Sequence, residues 1–81
     1  MTNHTVEVYS APWCPWCTKV KEFLTKLGIK YIEKDVDTNP DFVTEVQKIS
    51  NQTGIPVTVI DKKTVIIGYN EKAIKSALGI A

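Results

Sequence analysis

A chain of 81 residues, 43% hydrophobic and 23% charged, has room for one small soluble domain spanning residues 1–81. Ten Lys+Arg against nine Asp+Glu leave a formal charge of +1, too weak a field to gather nucleic acid or an anionic membrane surface. Every basic side chain is Lys, which removes bidentate Arg clamps for anions, and no leader, membrane-spanning or lipidation signal is visible. The expectation is a cytoplasmic monomer that binds neither nucleic acid nor membrane.

In chain order, Thr5-Val6-Glu7-Val8-Tyr9 alternates and reads as a strand. A short loop, Ser10 to Trp13, leads to Pro15. From there Cys17, Val20, Phe23, Leu24 and Leu27 recur at helical spacing until Gly28 stops the helix. Ile29 to Val36 reads as a second strand, with Tyr31, Ile32 and Val36 as its apolar members. Asp37-Thr38-Asn39-Pro40 supplies a polar cap before a first-turn proline, and Phe42, Val43, Val46 and Ile49 form the stripe of a second helix. Asn51-Gln52-Thr53-Gly54 breaks it. Val57–Ile60 and Thr64–Ile67 flank Asp61-Lys62-Lys63 closely enough for an antiparallel hairpin, although its turn lacks Gly or Asn. Asn70 can cap a last helix carrying Ile74, Ala77 and Leu78, closed by Gly79. The order β-α-β-α-β-β-α predicts one four-stranded mixed sheet, its first two strands parallel, with helices on both faces.

Both cysteines lie in Ala11-Pro12-Trp13-Cys14-Pro15-Trp16-Cys17. Thiols in a reducing compartment are metal ligands, catalytic groups or core residues, and their number does not choose among these. Structural zinc needs about four ligands, and the one histidine, His4, falls in an N-terminal stretch expected to fray. Two inert core thiols would suit Cys17 but not Cys14, between a tryptophan and a proline at a helix start. A Cys-x-x-Cys at that point sets the side chains one turn apart, close enough for a reversible disulfide. Cys14, at the cap position, faces unpaired N–H groups and the positive helix end, which favour thiolate over thiol. Cys14 is expected to be exposed at the helix start, whereas Cys17 shares the apolar stripe and is expected to be buried and less reactive. Cys14 is then the nucleophile that opens a substrate disulfide, and Cys17 the thiol that resolves the mixed disulfide.

With Cys14-Pro15-Trp16-Cys17 following the first strand in this order, the chain resembles the glutaredoxin family of the thioredoxin-like fold, from Val6 to about Leu78. Trp16 stands where glutaredoxins usually carry tyrosine. Gln52 falls near the glutamine that precedes the family's Thr-Val-Pro segment, here Gly54-Ile55-Pro56. The resemblance implies that Pro56 is a cis-proline facing the cysteines, and that the Ile55 backbone pairs with an extended substrate. It also implies a substrate-binding set of Trp13, Pro15, Trp16, Gln52, Ile55, Pro56, Gly68, Tyr69 and Asn70, with no resident metal or bound cofactor. Trp13 and Trp16 either form an apolar docking rim or divide, with Trp13 in the core and Trp16 merely exposed. Lys19 and Lys21 either add positive potential near the thiolate or form a solvated face.

Glutathione-using members carry Gly-Gly followed shortly by Asp where this chain has Gly68-Tyr69-Asn70-Glu71, and a lysine before the first cysteine where it has Ala11-Pro12-Trp13. A lone glycine before an aromatic residue is more similar to glutaredoxin-like proteins reduced by a flavoprotein of the thioredoxin-reductase type. Thioredoxins, for their part, bury an acid six residues before the first cysteine, where Val8 stands. The implied activity is reduction of protein disulfides by a small electron carrier in cell redox homeostasis, with ribonucleotide reductase or a peroxiredoxin among the implied targets. The alternatives are a glutathione-dependent deglutathionylating glutaredoxin and an iron–sulfur cluster carrier.

Overall fold

Valines alternating with other side chains make Val6–Ser10 an extended segment, β1, with two usable faces. The computed structural model describes residues 4–80 and continues through α1 (Pro15–Lys26), β2 (Ile32–Asp35), α2 (Pro40–Ser50), β3 (Val57–Ile60), β4 (Thr64–Ile67) and α3 (Glu71–Leu78). This is the expected order of elements. The strands form one sheet, β2-β1-β3-β4. β2 runs parallel to β1, while β3 is antiparallel to both β1 and β4, so the sheet is mixed.

Register decides what each face holds. Val6 and Val8, with Ile60 and Ile66, pack against Val20 and Leu24 of α1 and Ile74 and Leu78 of α3. Tyr9, Val57 and Val59 pack with Val46 of α2, flanked by Val36, Phe42 and Ile55. Helices therefore cover both faces. Their ends follow local chemistry. Asn39 accepts from the Asp41 N–H ahead of α2, and Asn70 from the Ala73 N–H ahead of α3, each at 3.0 Å. α1 closes with Gly28 N–H to Thr25 O at 3.0 Å and Ile29 N–H to Leu24 O at 2.9 Å, a geometry that needs the Gly28 φ of 74°.

Several details depart from expectation. β2 is shorter than Ile29–Val36, because Ile29 is engaged in the exit from α1 and pairing with β1 begins at Ile32. Ile32 lies on an edge strand and is 56% exposed, while Tyr31 and Val36 reach the two cores. In α2 the inward arc is narrower than the apolar stripe: Val46 is buried and Phe42 packs, but Val43 and Ile49 are exposed. His4 is not frayed. Its Nδ1 lies 2.7 Å from Asp61 Oδ2, and the Thr5 N–H donates to Asp61 Oδ1, which ties the chain start to the hairpin turn. Asp61 and Lys62 both take positive φ, 56° and 60°, the sense a tight hairpin turn demands even without Gly or Asn.

The α2 side of the sheet also carries charge. Lys34 Nζ lies 2.7 Å from Glu7 Oε2 and 3.2 Å from Glu45 Oε1, above the Tyr9 and Phe42 rings. Glu7 and Lys34 are mostly withdrawn from solvent, with side chains 13% and 19% exposed. The Glu7 carboxylate, supported by Glu45 and Tyr9, holds the Lys34 ammonium well above the ordinary lysine range against the opposing cost of burial.

Candidate active site

Cys14 is the N-cap of α1, in extended conformation (φ −95°, ψ 109°), with Pro15 at the first helical position. A first-turn N–H has no partner within the helix, so proline costs no bond there. The Cys14 N–H donates to Ala11 O at 3.2 Å, and the Thr18 N–H and hydroxyl both return to Cys14 O. These bonds fix the loop onto the helix. The Cys14 sulfur turns back over the first turn and accepts from the Cys17 N–H at 3.2 Å.

Cys14 was expected to be exposed, and here the structure differs. The residue is 5% exposed and Cys17 is 0% exposed. Turning the sulfur back onto the Cys17 amide takes it away from solvent. Cys17 lies on the buried stripe of α1 with Val20 and Leu24, as its spacing predicts. Burial pushes the Cys17 thiol up to about 12, its hydrogen bond with Cys14 acting in the same direction. Both cysteines are free thiols.

The Ile55–Pro56 peptide is cis, as the resemblance implies, and Pro56 is buried. The Pro56 carbonyl accepts from the Gly68 N–H at 2.8 Å, whereas neither backbone group of Ile55 bonds another backbone group among the described residues. Trp16, Ile55, Pro56, Gly68 and Tyr69 line one cavity of about 290 Å³. Its aromatic wall is built in steps: Tyr69 lies 5.9 Å from Trp16 between ring centroids and meets Phe23 edge-on at 6.3 Å. Lys19 Nζ sits 5.8 Å from the Trp16 ring centroid, and the Tyr69 hydroxyl donates to Glu71. Two larger hollows, about 430 and 520 Å³, run along α1 beside Tyr31 and are lined by no cysteine.

Other expected residues stand apart from that cavity. Trp13 is not in the core. It is 67% exposed, and its Nε1–H donates to Asp37 Oδ2 at 2.7 Å, laying the indole toward the loop after β2. Trp16 is 55% exposed, so both indoles are available at the surface. Gln52 closes its own loop, donating to Gly54 O at 2.9 Å and accepting from the Gly54 N–H at 2.7 Å. The Asn70 side-chain oxygen is engaged as the α3 cap. Sequence reading missed Asp37 as the partner of Trp13 and Glu33 as the partner of Lys21, each supplied by a segment distant in the chain.

Among the described residues, no three His, Cys, Asp or Glu gather as a metal site requires, and no helix is long and apolar enough to cross a membrane. The glutaredoxin family model matches residues 6–65. A glutaredoxin-like protein of the rubredoxin operon of Clostridium pasteurianum is 36% identical over 69 residues, 85% of this chain and 91% of its own length. A glutaredoxin of Neisseria meningitidis serogroup A is 38% identical over 53 residues, 64% of this chain but 62% of its own length. The crystal structure of Methanosarcina acetivorans methanoredoxin superposes with a TM-score of 0.87 at 28% identity, covering 94% of this chain and 85% of that one. The fold is thus thioredoxin-like, with the four-stranded mixed sheet and element order of glutaredoxins. By its sequence, its fold and its Cys-x-x-Cys at a helix start, the chain belongs to the glutaredoxin family of redox proteins.

Proposed function

We propose that this protein is a cytoplasmic thiol–disulfide oxidoreductase that reduces protein disulfides through a reversible Cys14–Cys17 disulfide, as a small one-domain electron carrier. The observation that carries the reading is the inequality of the two sulfurs. Cys14 sits at a helix N-terminus with an amide N–H directed at its sulfur, whereas Cys17 is wholly enclosed and held in its protonated form. Cys14 attacks one sulfur of the substrate disulfide; that bond breaks, and the departing thiolate takes up a proton. Cys17, deprotonated, then attacks the Cys14 sulfur. The Cys14–substrate bond breaks, the second substrate thiol leaves, and the protein retains the disulfide.

The substrate chain docks in the cavity between Trp16 and Tyr69, where the unpaired Ile55 backbone offers strand-like hydrogen bonds beside Pro56. Trp13, turned toward Asp37, extends the apolar rim around Cys14 and Pro15. Gly68 leaves the cavity wall open, while Tyr69 and Asn70 are engaged with Glu71 and α3. That commitment favours a thioredoxin-reductase-type flavoenzyme over glutathione as the electron donor. Ribonucleotide reductase or a peroxiredoxin is the class of target proposed.

The experiment supplies oxidised protein with either NADPH or NADH plus such a flavoenzyme, or glutathione plus glutathione reductase, and follows thiol regeneration. Rapid recovery with the flavoenzyme is expected; faster recovery with glutathione would overturn the choice of donor. Cys14→Ser abolishes insulin-disulfide reduction in either system, and retained activity would overturn the function itself.

A further inference from the structure

Ser10, at the end of β1, is completely buried, and its hydroxyl donates to Glu33 Oε2 at 3.0 Å. The same oxygen accepts from Lys21 Nζ at 2.7 Å. Register explains why these groups meet. Glu33 pairs with Val8, whose side chain faces α1, so Glu33 points to that side of the sheet as well. Lys21 follows Cys17 by one helical turn and therefore shares its face of α1. Clamped from β2, the lysine is only 20% exposed. Glu33 is 42% exposed, so the pair sits at the rim of this face with Lys21 the more covered partner.

We propose that Lys21, held in place by Glu33 and Ser10, is the positioning residue of the resolving step, its ammonium supporting the Cys17 thiolate as that thiolate forms. The inference rests on the oxidoreductase reading above. In the step, the Cys17 proton leaves to water, the Cys17 thiolate bonds to the Cys14 sulfur, and the Cys14–substrate bond breaks. The departing substrate thiolate then takes a proton from water. Lys21 stays protonated throughout and exchanges nothing.

The surrounding charges fit this role. Hydrogen bonding to Glu33 raises the Lys21 ammonium above the ordinary lysine value, so it remains a cation at neutral pH. Its charge opposes the rise that burial imposes on Cys17. Cys14 is the other ionisable group acting on that sulfur, and it acts in the raising direction. Tyr31 and Glu33 reach Lys21 from the β2 side. The buried residues that β1, β3, β4 and α3 turn toward this core are apolar or, at Ser10 and Thr58, carry neutral hydroxyls.

The test separates the two thiol steps. Reduced protein mixed with a chromogenic aromatic disulfide releases one equivalent of aromatic thiol when Cys14 attacks, and a second when Cys17 resolves. In stopped flow, Lys21→Met is expected to leave the first phase unchanged and slow the second about tenfold, the effect of one unit in thiol ionisation. The pH profile of its second phase should move about one unit upward in parallel. Lys21→Arg restores the native second phase, and Glu33→Gln falls between the native chain and Lys21→Met. Second-phase rates and profiles of Lys21→Met equal to those of the native chain would overturn the assignment. Absence of the first phase in the native chain would instead strike the oxidoreductase reading.

Discussion

Replacing Lys34 by methionine keeps most of the aliphatic stem but removes the charge that joins β2 to β1 and α2. The contact distances are 2.7 Å to Glu7 and 3.2 Å to Glu45, and both Lys34 and Glu7 are less than one fifth exposed. The loss therefore exceeds that of a surface pair, about 0–1 kcal/mol. It stays below the about 3–5 kcal/mol for a fully buried pair, because some water reaches both groups. About 2 kcal/mol is the working figure, and at about 4–8 °C per kcal/mol in a domain of this size Tm falls by about 8–16 °C. Most of the cost comes from Glu7, left half-buried without its cation. A double-mutant cycle isolates that part. Glu7→Gln removes the stranded charge, so Lys34→Met combined with Glu7→Gln should be less destabilised than the sum of the single variants by about 1 kcal/mol or more. Urea denaturation of the four proteins at neutral pH measures it. Additive single-variant effects would refute the reasoning and show that Lys34 acts through its packing on Tyr9 and Phe42 alone.

Thr58 Oγ1 is buried with no hydrogen-bond partner among the described residues. Such a group costs about 1–3 kcal/mol, so the nearly isosteric Thr58→Val is expected to raise stability by about 1 kcal/mol and Tm by about 4–8 °C; a lower Tm by calorimetry would show that the hydroxyl is satisfied. Asn70→Ala removes the cap of α3 and should cost about 1 kcal/mol, read as a lower urea midpoint. An unchanged midpoint would deny the cap its energetic role. Hydrogen bonds from Lys21 to Glu33 and from Tyr9 to Glu45 hold both carboxyls below the ordinary glutamate value of 4.5. A carboxylate depressed on folding contributes stability above its unfolded value and loses it as pH falls through the folded one. Native stability should therefore drop below about pH 4.5, and Glu33→Gln should drop less over the same interval. An identical acid slope in Glu33→Gln would contradict the pairing.

The elements were legible where their causes are local. Asn39-Pro40, Asn70, Gly28 and Gly79 mark helix ends because a cap or a positive φ is decided within a few residues. Helical spacing likewise marked the inward faces of α1 and α3, although it overran the inward arc of α2 at Val43 and Ile49. Features set by pairing between distant segments were not legible. Ile32 reads as an apolar member of its strand until the sheet order leaves it on an edge, and nothing local to Glu7 announces the pairing with Lys34 that register creates. At the site, the spacing and order of Cys14-Pro15-Trp16-Cys17 predicted the helix-cap geometry. Spacing did not reveal that the cap would fold the Cys14 sulfur inward, nor that Trp13 would find Asp37 across the loop. The family resemblance supplied Pro56, whose cis bond no local rule demanded.

The central claim is that Cys14 attacks and Cys17 resolves. Cys17→Ser and Cys14→Ser proteins, each mixed with a disulfide-bonded peptide, test it most directly by intact-mass measurement followed by peptide mapping. Cys17→Ser should accumulate a stable mixed disulfide on Cys14, with one peptide thiol released, while Cys14→Ser should remain unmodified over the same time. Equal adduct formation on Cys17 in the Cys14→Ser protein would contradict the account, because the enclosed thiol would then be as good a nucleophile as the one at the helix start.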